Sequence, residues 1–225
     1  MPSYFRQVPD FEYVSRDSEQ RQISEYATVK NLFRRGKLRE DIFGNLAFFT
    51  KYKIIGDERP DNVAYKIYND ETLDWVILLS NNILNIQNEW PLTQVSFDKL
   101  LLEKYDTYDN LYNGIHHYES KEIRDSSENL IFPSGLIMDK NFTYSYYDSK
   151  LELNVELTNL ELLTEITNYE YESKIEDDKR NIFVLKPRYL NIVFNDMEEI
   201  MTYKKGSSQY VSRTLKRGDN IRLYN

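Results

Sequence analysis

The chain has 225 residues, a formal net charge of −8 and no cysteine. Without cysteine it has no disulfide, thiolate metal site or cysteine nucleophile, and its overall negative field disfavours nucleic acid as a partner. No apolar run approaches the roughly 18 residues of a membrane span, so no membrane partner is expected. The opening segment lacks the apolar core of a signal peptide, which favours a chain made and kept in the cytosol, or carried out of it inside an assembly.

Tyrosine is abundant, with nineteen residues, whereas glycine is scarce, with seven. Few glycines disfavour phosphate-cradling loops, which need their backbone freedom. Tyrosine suits surfaces that are part apolar and part hydrogen-bonding, as at protein interfaces. An A·T-rich genome would also enrich tyrosine through its codons, so composition alone leaves both explanations open.

Residues 1–47 predict an extended arm followed by helical segments. Two prolines oppose a helix within residues 1–26. Apolar positions over 29–46 recur at helical spacing, with Gly36 as a break. The arm carries four aromatic residues that need a covering surface on this chain or a neighbour, which makes them candidate partner contacts: Tyr4, Phe5, Phe11 and Tyr13.

Residues 48–109 predict a helical packing module that begins with a strand. Alternation of apolar and polar residues over 48–55 is typical of a strand. Pro60 suits the first position of the helix that follows, because its missing N–H has no partner there in any case. Asn69 and Asp70 then predict a turn.

The second half of this module predicts another helix, which Thr72 is placed to cap. Trp75 lies on its apolar face and is expected in the core, and Asn81 and Asn82 suit the left-handed geometry that ends helices. An extended exit follows where Trp90 precedes a proline. A further helix is expected near residues 95–105.

Residues 110–202 predict a β-rich region closed by a helix. Residues 167–187 are interpreted as a hairpin with the charged stretch "EDDK" at its tip, and Pro187 as the start of the helix. The whole chain is therefore predicted to be α+β. It combines a small β-α-α unit in the N-terminal half, mainly antiparallel β-structure plus one helix in the C-terminal half, and extended terminal arms.

Residues 203–225 form a basic tail. Six basic residues against one acidic residue give it a charge of +5, which leaves −13 on the rest of the chain. Its pattern predicts a hairpin that turns at Gly218-Asp219. Because an isolated two-stranded hairpin is marginally stable, we expect the tail to become ordered on a neighbouring subunit. Its candidate partner contacts are Tyr210, Arg213, Lys216, Arg217 and Arg222.

No pattern in the chain predicts catalysis, a metal or a cofactor. His116 and His117 are neighbours on an expected strand, where successive side chains point to opposite faces, so they are not expected to chelate one metal as a pair. No zinc-protease, nucleophile-elbow, Walker or dinucleotide motif occurs. A hydrolase built on paired carboxylates stays open, because carboxylates are too common for a pattern to be read. We expect a protein without enzymatic activity.

The segment "KYKIIGDERPDNVAYKIYNDETLDWVILLSNNILNIQNEWPL" resembles the T4-like phage baseplate wedge protein family, the product of gene fifty-three. Further segments at 115–119, 167–172 and 177–190 are similar to later parts of that family, so the resemblance covers roughly residues 3–200. The family has a glycine where this chain has Asn69. The matching positions of the central motif are Pro60, Ala64, Tyr68, Trp75, Asn81, Trp90 and Pro91.

The resemblance implies a structural component of a contractile phage tail. Such a protein packs with other wedge and hub proteins, helps to join wedges into the baseplate ring, and is present in several copies in the virion. The module over 48–109 also resembles LysM, a strand-helix-helix-strand unit that binds N-acetylglucosamine polymers. Glu58 and Arg59 replace the usual Thr-Leu of that unit. The LysM resemblance implies the alternative function, which is peptidoglycan binding.

Overall fold

The computed structural model describes residues 3–14, 26–206 and 208–218. Among these residues it has ten α-helices: α1 Tyr4–Gln7, α2 Glu40–Phe43, α3 Pro60–Tyr68, α4 Asp74–Ser80, α5 Ile86–Glu89, α6 Gln94–Tyr105, α7 Tyr108–Asn113, α8 Asn159–Leu162, α9 Asn168–Lys179 and α10 Leu190–Met201. Short 3-10 turns lie at Leu46–Phe48, Glu71–Leu73 and Pro187–Tyr189. The predicted α+β class is confirmed.

The strands are β1 Asp10–Val14, β2 Tyr26–Lys30, β3 Phe49–Lys53, β4 Ile115–Ser120, β5 Ile123–Arg124, β6 Leu130–Phe132, β7 Ile137–Met138, β8 Tyr144–Asp148, β9 Leu153–Leu157, β10 Leu163–Thr167, β11 Asn181–Leu185, β12 Tyr210–Ser212 and β13 Leu215–Arg217. They form small sheets. One has the order β12-β13-β1-β2, another β10-β4-β7, and three are pairs, β11-β3, β5-β6 and β8-β9. Neighbouring strands are antiparallel except β1 and β13, which run parallel.

The chain divides into two compact units. Unit 1 comprises Met1–Trp90 with Arg180–Asn225, and unit 2 comprises Pro91–Lys179. Unit 2 is thus inserted in the sequence of unit 1, between α5 and β11. The divisions expected from the sequence fell instead at residues 47, 109 and 202.

The core of unit 1 lies around β3, β11, α3, α4 and α10. Val63 and Ala64 of α3 and Val76 and Ile77 of α4 are fully buried. Trp75 is 5% exposed, which confirms its predicted place in the core. The core also contains residues of β11, α10 and other segments, among them Ile54, Ile182, Val184, Leu185, Val193, Met197 and Met201.

Local chemistry explains why α3 begins and ends where it does. Pro60 occupies its first turn, as predicted, and is itself buried. Asn69 ends it in the left-handed conformation, with φ of 56°, and donates its backbone N–H to the Tyr65 carbonyl at 2.9 Å. Asparagine tolerates this conformation better than most residues. It therefore makes the turn that Asn69 and Asp70 predicted.

Three local predictions in the N-terminal half and the tail are wrong. The apolar spacing over 29–46 does not mark helices on both sides of Gly36; β2 occupies its start, and the only α-helix within it is the four-residue α2. Leu32 and Phe33, which suggested a helical face, are 71% and 102% exposed.

Thr72 does not cap α4: Asp70 caps the preceding 3-10 turn, accepting from the Thr72 N–H at 2.9 Å. The tail hairpin turns between β12 and β13, before Gly218.

The predicted hairpin over 167–187 is also wrong, because its first arm is the helix α9. The alternating tyrosines suggested a strand, but the buried positions of α9 recur every four residues and are polar: Asn168, Glu172 and Glu176. These side chains are satisfied within unit 2. Lys104 donates to Glu172 at 2.5 Å, and the backbone N–H of Leu92 donates to Glu176. A buried face without apolar residues gives no hydrophobic signal in the sequence.

Candidate assembly surface

The two ends of the chain meet in one four-stranded sheet, here called the terminal sheet: β12-β13-β1-β2. β1 lies between β13 and β2. It pairs in parallel with β13 from Asp10 opposite Leu215, and antiparallel with β2 from Asp10 opposite Lys30. The tail was expected to order on a neighbouring subunit, and that prediction is wrong for the described residues. The surface it uses is the chain's own N-terminal strand.

The two faces of the terminal sheet differ in chemistry. Residues opposite one another in register share a face. One face carries Asp10, Glu12 and their partners: Lys30 lies 2.8 Å from the Asp10 carboxylate, and Arg217 Nε 2.7 Å from Glu12. The guanidinium of Arg217 also lies 4.5 Å from the ring centre of Tyr26. Ion pairs therefore occupy this face.

The other face, the aromatic face, is mostly apolar. It carries Phe11, Tyr13, Ala27, Val29 and Tyr210, with Lys216 beside Phe11. Tyr13 is 39% exposed and Val29 is 42% exposed. None of the described side chains in the four strands is buried. The terminal sheet thus lacks a filled core of its own on either face, within the part of the chain that the structure describes.

Tyr203 fastens the tail to the end of α10. It is 3% exposed, and its hydroxyl accepts a hydrogen bond from Asn31 Nδ2 at 2.8 Å. Its ring lies 4.7 Å from the guanidinium carbon of Arg34 and 5.2 Å from Lys216 Nζ. Arg34 in turn donates to the carbonyl of Ile200 at 2.6 Å. Tyr203 has no local signal in the sequence, because it follows the last periodic position of the helix.

The other candidate contacts of the arm and tail are spread out. Tyr4 packs into unit 1, with its ring centre 6.1 Å from that of Trp75 and its hydroxyl accepting from the Gly36 N–H at 3.0 Å. Phe5 is 63% exposed. Arg213 lies 3.5 Å from Glu198, with both side chains mostly exposed. Arg222 falls outside the described residues.

Glu58 in the central segment "GDERP" has a structural role, whereas in the sequence it marked only a departure from LysM. Its carboxylate accepts from the Tyr52 hydroxyl at 2.8 Å and from Lys66, and its carbonyl accepts from Trp90 Nε1 at 2.9 Å. Burial, then the bond to Glu58, raises the pKa of Tyr52 to about 12. Burial alone would raise the pKa of Glu58, but the bonds from Lys66 and Tyr52 outweigh it and lower it. Glu58 thus joins β3, α3 and the end of α5.

Asn81 joins α4 to β11 through its side-chain amide. Its Nδ2 donates to the carbonyls of Ile77 at 2.8 Å and Phe183 at 2.9 Å, and its Oδ1 accepts from the Phe183 N–H at 2.8 Å. β11 pairs with β3 through its other edge. The amide therefore takes the place of a neighbouring strand at one residue of β11.

The two histidines are closer than predicted. Their Nδ1 atoms lie 2.8 Å apart, and His117 Nε2 lies 3.2 Å from Glu119. The expectation that they point apart is therefore wrong. The ring of His116 also stacks on that of Tyr171, with the ring centres 3.7 Å apart. Across residues 3–14, 26–206 and 208–218, no group of three or more His, Asp or Glu side chains is arranged to hold a metal ion.

Within the same described residues, no helix has the length and apolar character needed to span a membrane. The described residues carry exposed aromatic side chains on small sheets and short helices, among them Phe5, Tyr13, Tyr108 and Tyr147. These define a mixed α+β protein whose candidate sites are contact surfaces.

Comparison with known protein families gives the class and then the family. A family model described as base plate wedge protein 53 matches residues 8–200, which is most of the chain. The chain belongs to this phage base plate wedge family, as its central motif predicted. The family indicates a structural role in the baseplate, in assembly with other baseplate proteins of the virion tail. No curated protein matches the chain.

Proposed function

We propose that this protein is a non-catalytic wedge component that packs with other wedge and hub proteins and helps to join wedges into the baseplate ring. The match to the wedge family over residues 8–200 carries this proposal. Several copies act in each particle. Neither nucleic acid nor a membrane is a partner in this proposal; the overall negative charge disfavours nucleic acid.

The aromatic face of the terminal sheet is proposed as one contact with a neighbouring subunit. Tyr13 and Val29 lie on it with 39% and 42% of their surfaces exposed. A partner that covers this face would supply the second layer that a sheet of this kind needs for a filled core. Tyr210 and Phe11 would contribute to the same contact. Arg213 lies at the turn of the tail hairpin, mostly exposed, and would lie at the polar rim of this contact.

The LysM-like part of the proposal concerns the module over 48–109, which contains β3, α3 and α4. The strand that pairs antiparallel with β3 is β11, with Asn181 opposite Lys53, and it lies outside this module, after α9 in the sequence. We propose that this arrangement serves packing. Glycan binding is the competing function, and retention of the purified protein on insoluble peptidoglycan would favour it over the assembly role.

The assembly role is tested by supplying variants to a phage that lacks its own copy of the protein. The double variant Tyr13→Thr/Val29→Thr removes apolar surface from the aromatic face and keeps residues that suit strands. We expect it to fold but to enter particles less often than the parent. A matched control, Tyr147→Thr/Ile137→Thr, changes a tyrosine and an aliphatic residue on strands of unit 2 that are 58% and 72% exposed. Normal incorporation of the first variant, or equal loss in both, would contradict the proposed contact.

A further inference from the structure

The two compact units differ strongly in charge. Unit 2 has eight Lys and Arg residues and nineteen Asp and Glu residues, a net charge of −11. The remaining residues, which make up unit 1, carry +3 of the chain's total of −8. The acidic excess of this protein is therefore carried by the inserted unit, whereas unit 1 is weakly basic.

A basic cleft of about 390 Å³ lies in unit 1, between the end of α10 and β13. Three cations line it, Arg34, Lys204 and Lys216, together with one carboxylate, that of Glu199. Within the residues that the structure describes, no carboxylate forms an ion pair with any of the three cations. The cleft therefore holds positive charge that no ion pair neutralises.

Neighbouring groups hold two of these cations in place. The guanidinium of Arg34 donates to the carbonyls of Ile200 at 2.6 Å and Thr202 at 3.2 Å. The ammonium of Lys216 lies over the buried ring of Tyr203, 5.2 Å from its centre. Lys216 also belongs to the aromatic face of the terminal sheet, so the cleft borders that face. Because these cations are fixed near one another, they favour the approach of carboxylates from another molecule.

A rigid turn next to the cleft displays two apolar side chains. Its last residue, Arg34, lines the cleft and donates its backbone N–H to the Asn31 carbonyl at 3.1 Å. The Phe33 N–H donates to Asn31 Oδ1 at 3.2 Å, and Asn31 Nδ2 donates to the Tyr203 hydroxyl at 2.8 Å. Leu32 and Phe33 are nevertheless 71% and 102% exposed. A turn that is already fixed loses little conformational entropy when a partner covers these side chains.

Unit 2 carries a surface of complementary chemistry, here called the acidic aromatic patch: Asp106, Tyr108, Asp109 and Tyr112. The two tyrosine rings stack on each other, inclined by 10° with centres 6.5 Å apart, and are 64% and 50% exposed. Tyr169 supports Tyr112 from behind, with the ring centres 4.8 Å apart. Both aspartates are exposed, and neither has an ion pair to a cation in the part of the chain that the structure describes. Aromatic rings and unpaired carboxylates thus lie together on α7 and the turn before it.

We propose that copies of this protein associate head to tail, with the basic cleft and its turn in one copy on the acidic aromatic patch of the next copy. The lysines of the cleft lie against the two aspartates, and Phe33 lies against the stacked tyrosines. The aromatic side chains supply most of the binding energy, while the charges set the orientation. The opposite net charges of unit 1 and unit 2 favour this orientation over contacts between like units.

Such a contact is heterologous, because it joins different surfaces of the two copies. Each pair keeps one free cleft and one free patch, so further copies can add to either end. That several copies meet in one particle rests on the proposed function, whereas the contact itself is measured on the purified protein. If the purified protein failed to associate, a second copy would not be the partner. The assembly role, measured by incorporation into particles, would then still stand.

The test measures the association of the full-length protein by sedimentation velocity over a range of concentrations. We expect species larger than the monomer at about 0.05 M salt. The dissociation constant should be at least about tenfold higher at about 0.5 M salt, where the charges are screened. A protein that stays monomeric at about 100 µM in low salt, or an association that salt does not weaken, would overturn the proposal.

Two variants separate the two halves of the contact. Lys204→Glu/Phe33→Ser changes the cleft and its turn, and Asp109→Lys/Tyr108→Ser changes the patch. Circular dichroism establishes that each variant is folded. Each variant alone should associate at least about tenfold more weakly than the parent. Mixed together, they should form a one-to-one complex and nothing larger, because the first variant keeps an intact patch and the second keeps an intact cleft.

The matched control is Lys51→Glu/Ile55→Ser. It reverses the charge of an exposed lysine and removes an exposed apolar side chain elsewhere in unit 1. We expect this control to associate like the parent. Three further results would overturn the proposal: a control that loses association as the cleft variant does, a cleft or patch variant that associates like the parent, or a mixture of the two that stays monomeric.

Discussion

Replacing Asn81 by alanine should destabilise unit 1 through the loss of one side chain's hydrogen bonds. The amide makes three bonds, two of them to the backbone of Phe183 in β11. Each of the three bonds contributes a net of about 0.5–1.5 kcal/mol. Since water reaches this half-buried site in the variant, we expect the free energy of unfolding to fall by about 2–3 kcal/mol. For a protein of this size that corresponds to a melting temperature lower by about 4–12 °C.

The assay is thermal or urea unfolding followed by tryptophan fluorescence. Both tryptophans of the chain, Trp75 and Trp90, lie in unit 1, so their emission reports this unit and not unit 2. The matched control is Asn88→Ala, which changes an exposed asparagine on the short helix α5. We expect this control to stay within about 0.5 kcal/mol of the parent.

A second variant tests the role of the two donated bonds. Asn81→Asp keeps the shape and the acceptor for the Phe183 N–H but places a carboxylate oxygen against the Ile77 and Phe183 carbonyls. Repulsion from these carbonyls should raise the pKa of the new carboxyl above its usual value. The loss of stability in this variant is therefore present above the raised pKa and shrinks as pH falls through it, because protonation restores a donor. If Asn81→Ala unfolds like the parent, or Asn81→Asp shows no such pH trend, the amide does not join α4 to β11 as described.

Three further predictions concern other parts of the chain. Trp75→Ala should cost about 3–5 kcal/mol, measured by urea unfolding, and a parent-like unfolding midpoint would show that Trp75 is not a core residue. Deleting residues 208–225 should lower the melting temperature of unit 1 by about 2–8 °C, since it removes β13 from β1; an unchanged value would mean that the tail contributes nothing to the isolated protein. Hydrogen bonds from Ser126 and the backbone lower the pKa of Asp148 to about 2. Its contribution to stability is therefore present above the ordinary value of 3.8 and lost as pH falls through about 2, so amide exchange at Ser126 and Lys150 should accelerate there, and Asp148→Asn should remove this acid dependence.

The sequence predicted the two ends of α3 and the burial of Trp75, because their signals are local. Proline at the start of α3 and a left-handed asparagine at its end act within a few residues, and Trp75 lies on a periodic apolar face. The same periodicity failed for α9, whose buried face is made of Asn168, Glu172 and Glu176. Their partners lie on other segments of unit 2, and no local pattern contains that information.

The terminal sheet could be predicted only in part. The aromatic and basic residues of the arm and tail were recognised as needing a surface. The tail was expected to find it on another subunit, whereas for the arm both this chain and a neighbour were left open. A parallel pairing between the two ends of the chain has no local signature, since its register depends on backbone contacts between residues such as Asp10 and Leu215. The role of Tyr203 was missed for the same reason: its partners Asn31 and Arg34 lie far away in sequence.

The insertion of unit 2 within unit 1 has a consequence for synthesis on the ribosome. β3 is made early, but its partner β11 follows only after the whole of unit 2, and β13 follows later still. All strands of unit 2 lie in one continuous stretch of sequence, so this unit can fold first. Until β11 is synthesised, β3 has no strand to pair with. Pairing over such long sequence separations is slow. A chain released early would therefore carry a finished unit 2 beside an open unit 1, and would be exposed to aggregation or proteolysis. The order of the strands thus favours complete chains as the material from which particles are built.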